Sequence, residues 1–425
     1  MHAELIAIGD EIVSGQLLDT NTPWLSLRLE ELGIPVLYHT AVGDDLDAMV
    51  EVLGRAVERS GLVVSTGGLG PTADDLTRQA LARLTGRKLV MFPEALEHIR
   101  ALFARRGRPM PEQNQVQAFF PEGARMIPNP EGTAPGIDVE VPRPGAPSCR
   151  LLALPGVPAE MQEMWHRTVV GALRGLGAGR GCIRHWRVKC FGVGESQMEA
   201  MLPDLIRRGR QPRVGINASQ GTIIFRITAQ GETPESARSA MEPTLTTLRQ
   251  CLGTLIFGEE DDELQHVVVR LLREQRKTLA TVECDTAGLV AHWLADVPES
   301  RTCYRGGLVL GGQRPQQPLL RLPFLTRPTT SQEAAQQAAA MAEACREEFG
   351  SDYGLAIGPF PEPEVASHDP PLVWMALAAP EGTSSRSFPW GGHPAMRKAL
   401  FAKHALNLLR LTLLEKGLEG RGTSG

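Results

Sequence analysis

The first 86 residues repeat one pattern three times: a short apolar run, then a stretch with helical spacing, then a glycine. Leu5-Ile6-Ala7-Ile8 is a continuous apolar run, the mark of a strand buried on both faces. Residues 22–32 then place Leu25, Leu29 and Leu32 on one helical face, with Asn21 or Thr20 available as cap and Gly33 as stop. Ile34–Thr40 predicts a second strand, 46–59 a second helix, Leu62–Val64 a third strand, and 74–85 a third helix ending at Gly86. A βαβαβα order requires a largely parallel sheet with helices on both faces, so a three-layer αβα domain is expected.

Later segments differ in character. Strands are expected near 124–128 and 150–154, and a helix over 159–173. The glycine-rich stretch Gly175–Gly181 reads as a linker. Residues 185–250 then alternate as strand (185–192), helix (195–207), two strands (213–218 and 222–229, turned at Gln220-Gly221) and helix (234–250), a small α+β unit. From Glu259 the pattern is again mixed α/β. A Pro/Gln-rich interruption covers Gly311–Pro328, helices are expected over 332–348 and 394–416, and a glycine-rich tail, expected to fray, begins at Gly417.

Composition narrows the function classes. Lys+Arg 44 against Asp+Glu 49 gives a net charge of -5, without the basic excess of a nucleic-acid binder. Aromatic residues at 5% are too scarce for base-stacking platforms. No apolar run approaches the roughly 20 residues of a membrane span. The start Met1-His2-Ala3-Glu4 lacks the basic, then apolar, pattern of a signal peptide, and the 7 cysteines form no C-x-x-C pair. A cytoplasmic protein with reduced thiols is expected.

Ligands of parallel α/β sheets bind beyond the carboxyl ends of the strands. Four segments follow strands directly: Gly9–Gly15, Thr66–Asp75, Asn129–Gly136 and Leu154–Pro158. They carry glycines that allow close backbone approach, hydroxyls at Thr66, Thr72, Thr77 and Thr133, and carboxylates at Asp10, Glu11, Asp74 and Asp75. Glycine-rich loops entering helices suit phosphate, and neighbouring carboxylates suit a divalent cation. Together they point to a phosphorylated ligand, a bridging metal and phosphoanhydride hydrolysis. Simpler roles stay open: Asp74 and Asp75 sit where a helix dipole favours acids, Gly67-Gly68 can be a turn, and Asp19 and Asn21 can be caps.

These residues resemble the molybdopterin-binding-like domain of the CinA (competence/damage-inducible protein A) family. The matching motifs are Gly9-Asp10-Glu11-Ile12 with Asp19-Thr20-Asn21, Thr66 through Thr77, Gly107–Met110 with Asn114 and Gln117-Ala118, Asn129 through Gly136, and Leu154 through Met161. Phe191–Ser196, Phe225–Ala229 and Leu255–Gly258 match the family's middle segment and its joint to the last domain. The resemblance implies three parts, 1–175, 182–258 and 259–417, the last a mixed α/β CinA C-terminal domain. It implies a homodimer, and metal-dependent (Mg, Mn or Co) ADP-ribose pyrophosphatase activity in the first part. The catalytic set is then Asp10, Glu11, Asp74 and Asp75, with Asp10, Asp74 and Asp75 on the metal. Asn21, Gly67, Gly68, Thr72, Thr77, Asn114, Gly132, Thr133, Pro155 and Gly156 would touch the nucleotide.

The last domain departs from the family's nicotinamide mononucleotide deamidase pattern. Cys284 stands where the family has its serine nucleophile, Gly311 where it has a tyrosine, Gln316 where it has a lysine, and His393 where it has an arginine. The loop at Ile357–Pro361 is shortened. A degenerate, inactive deamidase domain is expected. The alternatives are a non-catalytic nucleotide-binding or scaffold protein, and deamidation through Cys284.

Overall fold

A computed structural model describes residues 1–178, 181–202, 204–207, 209–311, 328, 330–361 and 371–422. Two compact units emerge: Met1–Arg184 with Ala229–Met241, and His185–Thr228 with Glu242–Gly425.

In the first unit, strands β1 (Ala3–Ile8), β2 (Val36–Val42), β3 (Leu62–Thr66), β6 (Arg125–Ile127), β7 (Gly136–Arg143) and β8 (Ala146–Leu154) form one sheet in the order β2-β1-β3-β8-β7-β6. Strands β4 (Leu89–Met91) and β5 (Phe119–Pro121) pair separately. The four strands from β2 to β8 run parallel, and β7 and β6 extend the sheet antiparallel. Alternation along each strand sorts side chains between two cores. Ala3 and Leu5 of β1, Leu62 and Val64 of β3, and Leu152 and Leu154 of β8 pack against Leu25, Leu29 and Trp165. Ile6 and Ile8, Val63, and Leu151 and Ala153 face Met49, Leu53 and Leu81. A period of two, buried on both sides, is what makes the three-layer αβα domain. Glu4 is fully buried within β1 and is met by Arg59 at 2.9 Å and Thr40 at 3.0 Å.

The second unit carries two sheets. Strands β9 (Cys182–Cys190, crossing from the first unit), β10 (Arg213–Ser219), β11 (Thr222–Gly231) and β12 (Ile256–Glu259) order as β10-β11-β9-β12. Gln220 and Gly221, both at positive φ, make the expected hairpin turn, which closes on the pair Ser219 and Thr222. Strands β13 (Leu279–Cys284), β14 (Tyr304–Leu310), β15 (Tyr353–Ile357), β16 (Leu372–Ala379) and β17 (Gly382–Pro389) order as β14-β13-β15-β16-β17. The helix Ser331–Glu348 covers one face through Ala338, Met341, Ala342 and Cys345. The helices Leu264–Glu274 and Pro394–Gly422 cover the other through Val268, Leu272, Phe401 and Leu409.

Several boundaries differ from the sequence reading. The third helix starts at Thr77, three residues past Asp74, because Asp75 folds the preceding loop back on itself. Strand β7 was not foreseen; Pro135 and Pro142 mask its alternation. The helix at 195 ends at Ala200. The final helix continues through Gly417 to Gly422 where a frayed tail is expected from composition. Gln316 lies outside the described residues.

Candidate functional site

A cleft of about 800 Å³ opens at the carboxyl ends of the first unit's parallel strands. Its floor is the turn after β3. Gly67 adopts φ 107, and a Cβ there would strike the Ile8 carbonyl, so only glycine fits. The Gly67 N–H donates to the Leu154 carbonyl at 3.0 Å, tying the turn to β8. Thr77 donates its hydroxyl to the Gly67 carbonyl at 2.9 Å. The N–H groups of Gly68 and Leu69, two residues of the cleft wall, donate to no described residue. Unspent backbone N–H groups beside a glycine turn are what an anion requires.

Asp75 clasps the same loop. Its carboxylate accepts from the backbone N–H of Gly70 at 2.6 Å and of Thr72 at 2.9 Å, and from the Thr72 hydroxyl. Asp75 thereby holds the loop in shape. Beneath the loop lies Arg78, only 3% exposed, donating to the carbonyls of Gly70 at 3.1 Å and of Leu69. Burial lowers its pKa to about 10. Gln117, a further wall residue, donates to the Leu69 carbonyl at 3.3 Å and accepts from Asn114 at 2.8 Å.

The carboxylates come from three strand ends. Glu11 and Asp74 line the cleft together with Asp44, which follows β2. Asp10 and Asp44 grip each other's backbone: each N–H donates to the other's carboxylate at 3.0 Å. Asp44 is held above the usual carboxylate range by burial, and further by the charges of Asp10, Glu11 and Asp74. An acid raised by its acidic neighbours marks a negative patch that a cation would relieve. Among the described residues, however, no group of three or more His, Cys, Asp and Glu is placed to hold a metal ion. The set suits an open site that supplies one or two carboxylates to Mg²⁺ or Mn²⁺ and leaves the other positions to ligand oxygens.

The third wall is the loop after β6. Asn129, fully buried, accepts from the N–H groups of Glu131 at 3.2 Å and Gly132 at 2.9 Å, and donates to Glu160 at 2.7 Å. Thr133 and Glu160 reach the cleft. Asn21 donates to the Gly156 carbonyl at 2.8 Å and lines the cleft beside Pro155 and Gly156. Asp19, one residue before the N-cap Thr20, accepts from the N–H of Asn21 at 3.0 Å and of Thr22 at 3.1 Å at the start of its helix.

Of the residues expected from sequence, Glu11, Asn21, Gly67, Gly68, Thr72, Asp74, Asp75, Thr133, Pro155 and Gly156 line this one cleft. Thr77, Asn114 and Gly132 stand behind the wall and support it, because their polar groups are engaged with Gly67, Gln117 and Asn129. Asp10 acts next to the cleft, through Asp44. Asp44, Arg78 and Glu160 were missed. The strand-end rule reaches Asp44 once β2 is extended to Val42. Nothing in the sequence announces that Arg78 is buried.

The C-terminal unit offers a contrasting strand end at Cys284. The thiol is 8% exposed, and burial, then Asp285 and Glu283, push its pKa up to about 12. Glu283 accepts from the N–H groups of Val290 at 3.0 Å and Ala291 at 2.7 Å and from Thr286 at 2.6 Å, so it caps the next helix. Asp285 accepts from the Phe360 N–H at 2.8 Å. His393 caps the final helix, accepting from the Ala395 N–H at 3.3 Å. Gly311 follows β14 and brings no side chain.

The fold and the cleft define a class: a multidomain α/β protein with a glycine-turn, carboxylate-lined site at the ends of a mostly parallel sheet. Three family descriptions match in order: "Probable molybdopterin binding domain" over residues 4–175, "Damage-inducible protein CinA KH domain" over 185–258, and "CinA C-terminal domain" over 261–413. A CinA-like protein of Dictyoglomus thermophilum is 36% identical over 417 residues, covering 97% of this chain and 100% of its own. A CinA-like protein of a Synechococcus species is 37% identical over 414 residues, covering 96% and 98%. The crystal structure of CinA from Thermoplasma acidophilum, described as of unknown function, is 34% identical and covers 40% of this chain and 96% of its own, with a TM-score of 0.36. The chain belongs to the CinA family. No helix among the described residues is long and apolar enough to cross a membrane.

Proposed function

We propose that the N-terminal domain hydrolyses the phosphoanhydride of a nucleoside-diphosphate sugar such as ADP-ribose, releasing AMP and ribose 5-phosphate. The division of labour follows the three parts 1–175, 182–258 and 259–417, in a cytoplasmic homodimer. The observation that carries this reading is the meeting of unspent Gly68 and Leu69 N–H groups with Asp44, Glu11 and Asp74 in one cleft. The N–H groups suit diphosphate oxygens, and buried Arg78 beneath the turn adds positive charge where phosphate charge would sit. Asp44 and Asp74, with Asp10 and Glu11 beside them, would hold the divalent cation, and Asp75 keeps the loop in shape. When bound, the cation supplies charge neutralisation and lowers the pKa of a coordinated water.

The test is incubation of the purified protein with ADP-ribose and Mg²⁺, Mn²⁺ or Co²⁺, with AMP as readout. A non-catalytic nucleotide-binding role is the second reading, favoured by the lack, among the described residues, of three or more His, Cys, Asp or Glu placed to hold a metal ion. Binding of ADP-ribose without AMP release under any of the three cations selects it. The C-terminal domain does not deamidate nicotinamide mononucleotide in this proposal. A thiol pushed to about 12 is protonated at neutral pH.

A further inference from the structure

Phosphate and cation chemistry do not use Asn21 or Glu160, two polar residues of the cleft. Asn21 is 8% exposed. Its Nδ2 donates to the Gly156 carbonyl at 2.8 Å, which fixes the amide's orientation. Its Oδ1 is buried and accepts from no described residue. A buried acceptor without a donor is costly, and a native structure keeps few of them.

Glu160 is locked as firmly. One oxygen, Oε2, accepts from Asn129 at 2.7 Å, while no described donor meets Oε1. Gly132 packs so close that a Cβ there would run into the Glu160 carboxylate. The two side chains share a support: Asn21 holds the Gly156 carbonyl, and Glu160 stands four residues further along the same segment.

Two fixed acceptors, one anionic and one neutral, ask for donors. A phosphate is repelled by the Glu160 charge. Adjacent hydroxyls fit, and a carboxylate taking a ribose hydroxyl beside a glycine-rich phosphate turn is a recurrent solution for nucleotides. We propose that Asn21 and Glu160 form a subsite for the vicinal hydroxyls of a ribosyl group, so that this cleft selects ribonucleotides over deoxyribonucleotides. The inference rests on the nucleotide reading above and adds the residues that choose the sugar.

The experiment uses the full chain in EDTA and measures calorimetric binding of AMP, 2′-deoxy-AMP and 3′-deoxy-AMP. Loss of one charge-assisted hydroxyl bond corresponds to weakening on the order of 10- to 100-fold. Glu160→Gln can turn its carbonyl toward Asn129 and present an NH₂ to the ligand, so it should level the three affinities. A thermal melt shows whether that variant is folded, and the wild-type ranking stands without it. Deoxy analogues that bind as well as AMP overturn the subsite and leave the nucleotide reading intact. Discrimination that appears only when Mg²⁺ is added, although AMP already binds in EDTA, also overturns it, because Glu160 would then be a cation ligand. Failure of all three nucleotides to bind, with Mg²⁺ as without it, overturns both readings together.

Discussion

The turn after β3 and the turn after β13 both leave the carboxyl end of a parallel strand, yet their polar groups have different fates. Around Gly67–Asp75, one acid is consumed in holding the loop, and Gly68, Leu69 and Asp74 line a cleft. Around Glu283–Gly288, Glu283 serves three donors, Asp285 serves Phe360, and Cys284 is packed among Ala338, Met341 and Ala356. The second turn still keeps a demanding backbone, with Asp285 and Ala287 both at φ 60. Non-glycine residues in that region cost of order 1–3 kcal/mol and persist where the surroundings impose them. The fold there has kept a strained strand-to-helix turn while its side chains satisfy one another. A strand end is thus a place where chemistry can be built, and the spent or unspent state of its polar groups decides whether it is.

The largest expected effect falls on the first turn. Asp74→Ala and Asp44→Asn should each lower ADP-ribose hydrolysis by roughly 10²–10³-fold, the usual cost of removing one preorganised electrostatic contact. Cys284→Ala should leave that rate unchanged. Equal losses in all three variants would erase the contrast between the two turns.

Arg78→Met comes next. It leaves the Gly70 carbonyl without its donor and the Leu69 carbonyl with Gln117 alone, a cost of roughly 1–3 kcal/mol for the group left unsatisfied. Urea unfolding should show the loss, and nucleotide binding should weaken with it. Unchanged stability would mean that the loop does not depend on the guanidinium.

The acid cluster predicts a pH dependence. Burial holds the Asp44 pKa above the ordinary carboxylate range in the folded protein, and its ionised form is the one a cation needs. Mn²⁺ affinity should therefore be full above the raised pKa and fall as pH drops through it. Folding stability has the opposite sign for this group: ionising Asp44 costs more in the folded than in the unfolded chain, so its contribution weakens as pH rises through the same window. Asp44→Asn should flatten the Mn²⁺ profile measured by calorimetry; an unaltered profile would move cation binding elsewhere.

Thiol reactivity gives the smallest effect on function. At pH 8, exposed Cys251 should be alkylated by iodoacetamide well before Cys284. A pKa of about 12 leaves only ~10⁻⁴ of Cys284 as thiolate at that pH. Preferential labelling of Cys284, read by peptide mass spectrometry, would restore it as a nucleophile.

The first unit's αβα layering was legible because β1 and β3 are buried on both faces and read as continuous apolar runs. The strand-end rule brought nine of the expected residues to one cleft, and the family resemblance added Asn21. What escaped were properties that exist only in three dimensions. Asp75 looks like its neighbour Asp74 in sequence, and only the fold-back to Gly70 and Thr72 separates them. Asp44 sits two residues beyond β2, past the point where Tyr38 and His39 blur the apolar signal. Arg78 reads as a surface helix residue until the loop lies over it. Glu160 reads as an acid in the first turn of a helix, and its hold on Asn129 bridges 31 positions.

The central claim is that the N-terminal cleft is the chemically live end of this chain. Its most direct test is AMP release from ADP-ribose with Mg²⁺, Mn²⁺ or Co²⁺ by wild type, Asp44→Asn, Asp74→Ala and Cys284→Ala. The account predicts cation-dependent AMP from wild type and Cys284→Ala, and its collapse in both aspartate variants. No AMP with any cation, or AMP undiminished by both aspartate substitutions, would contradict it.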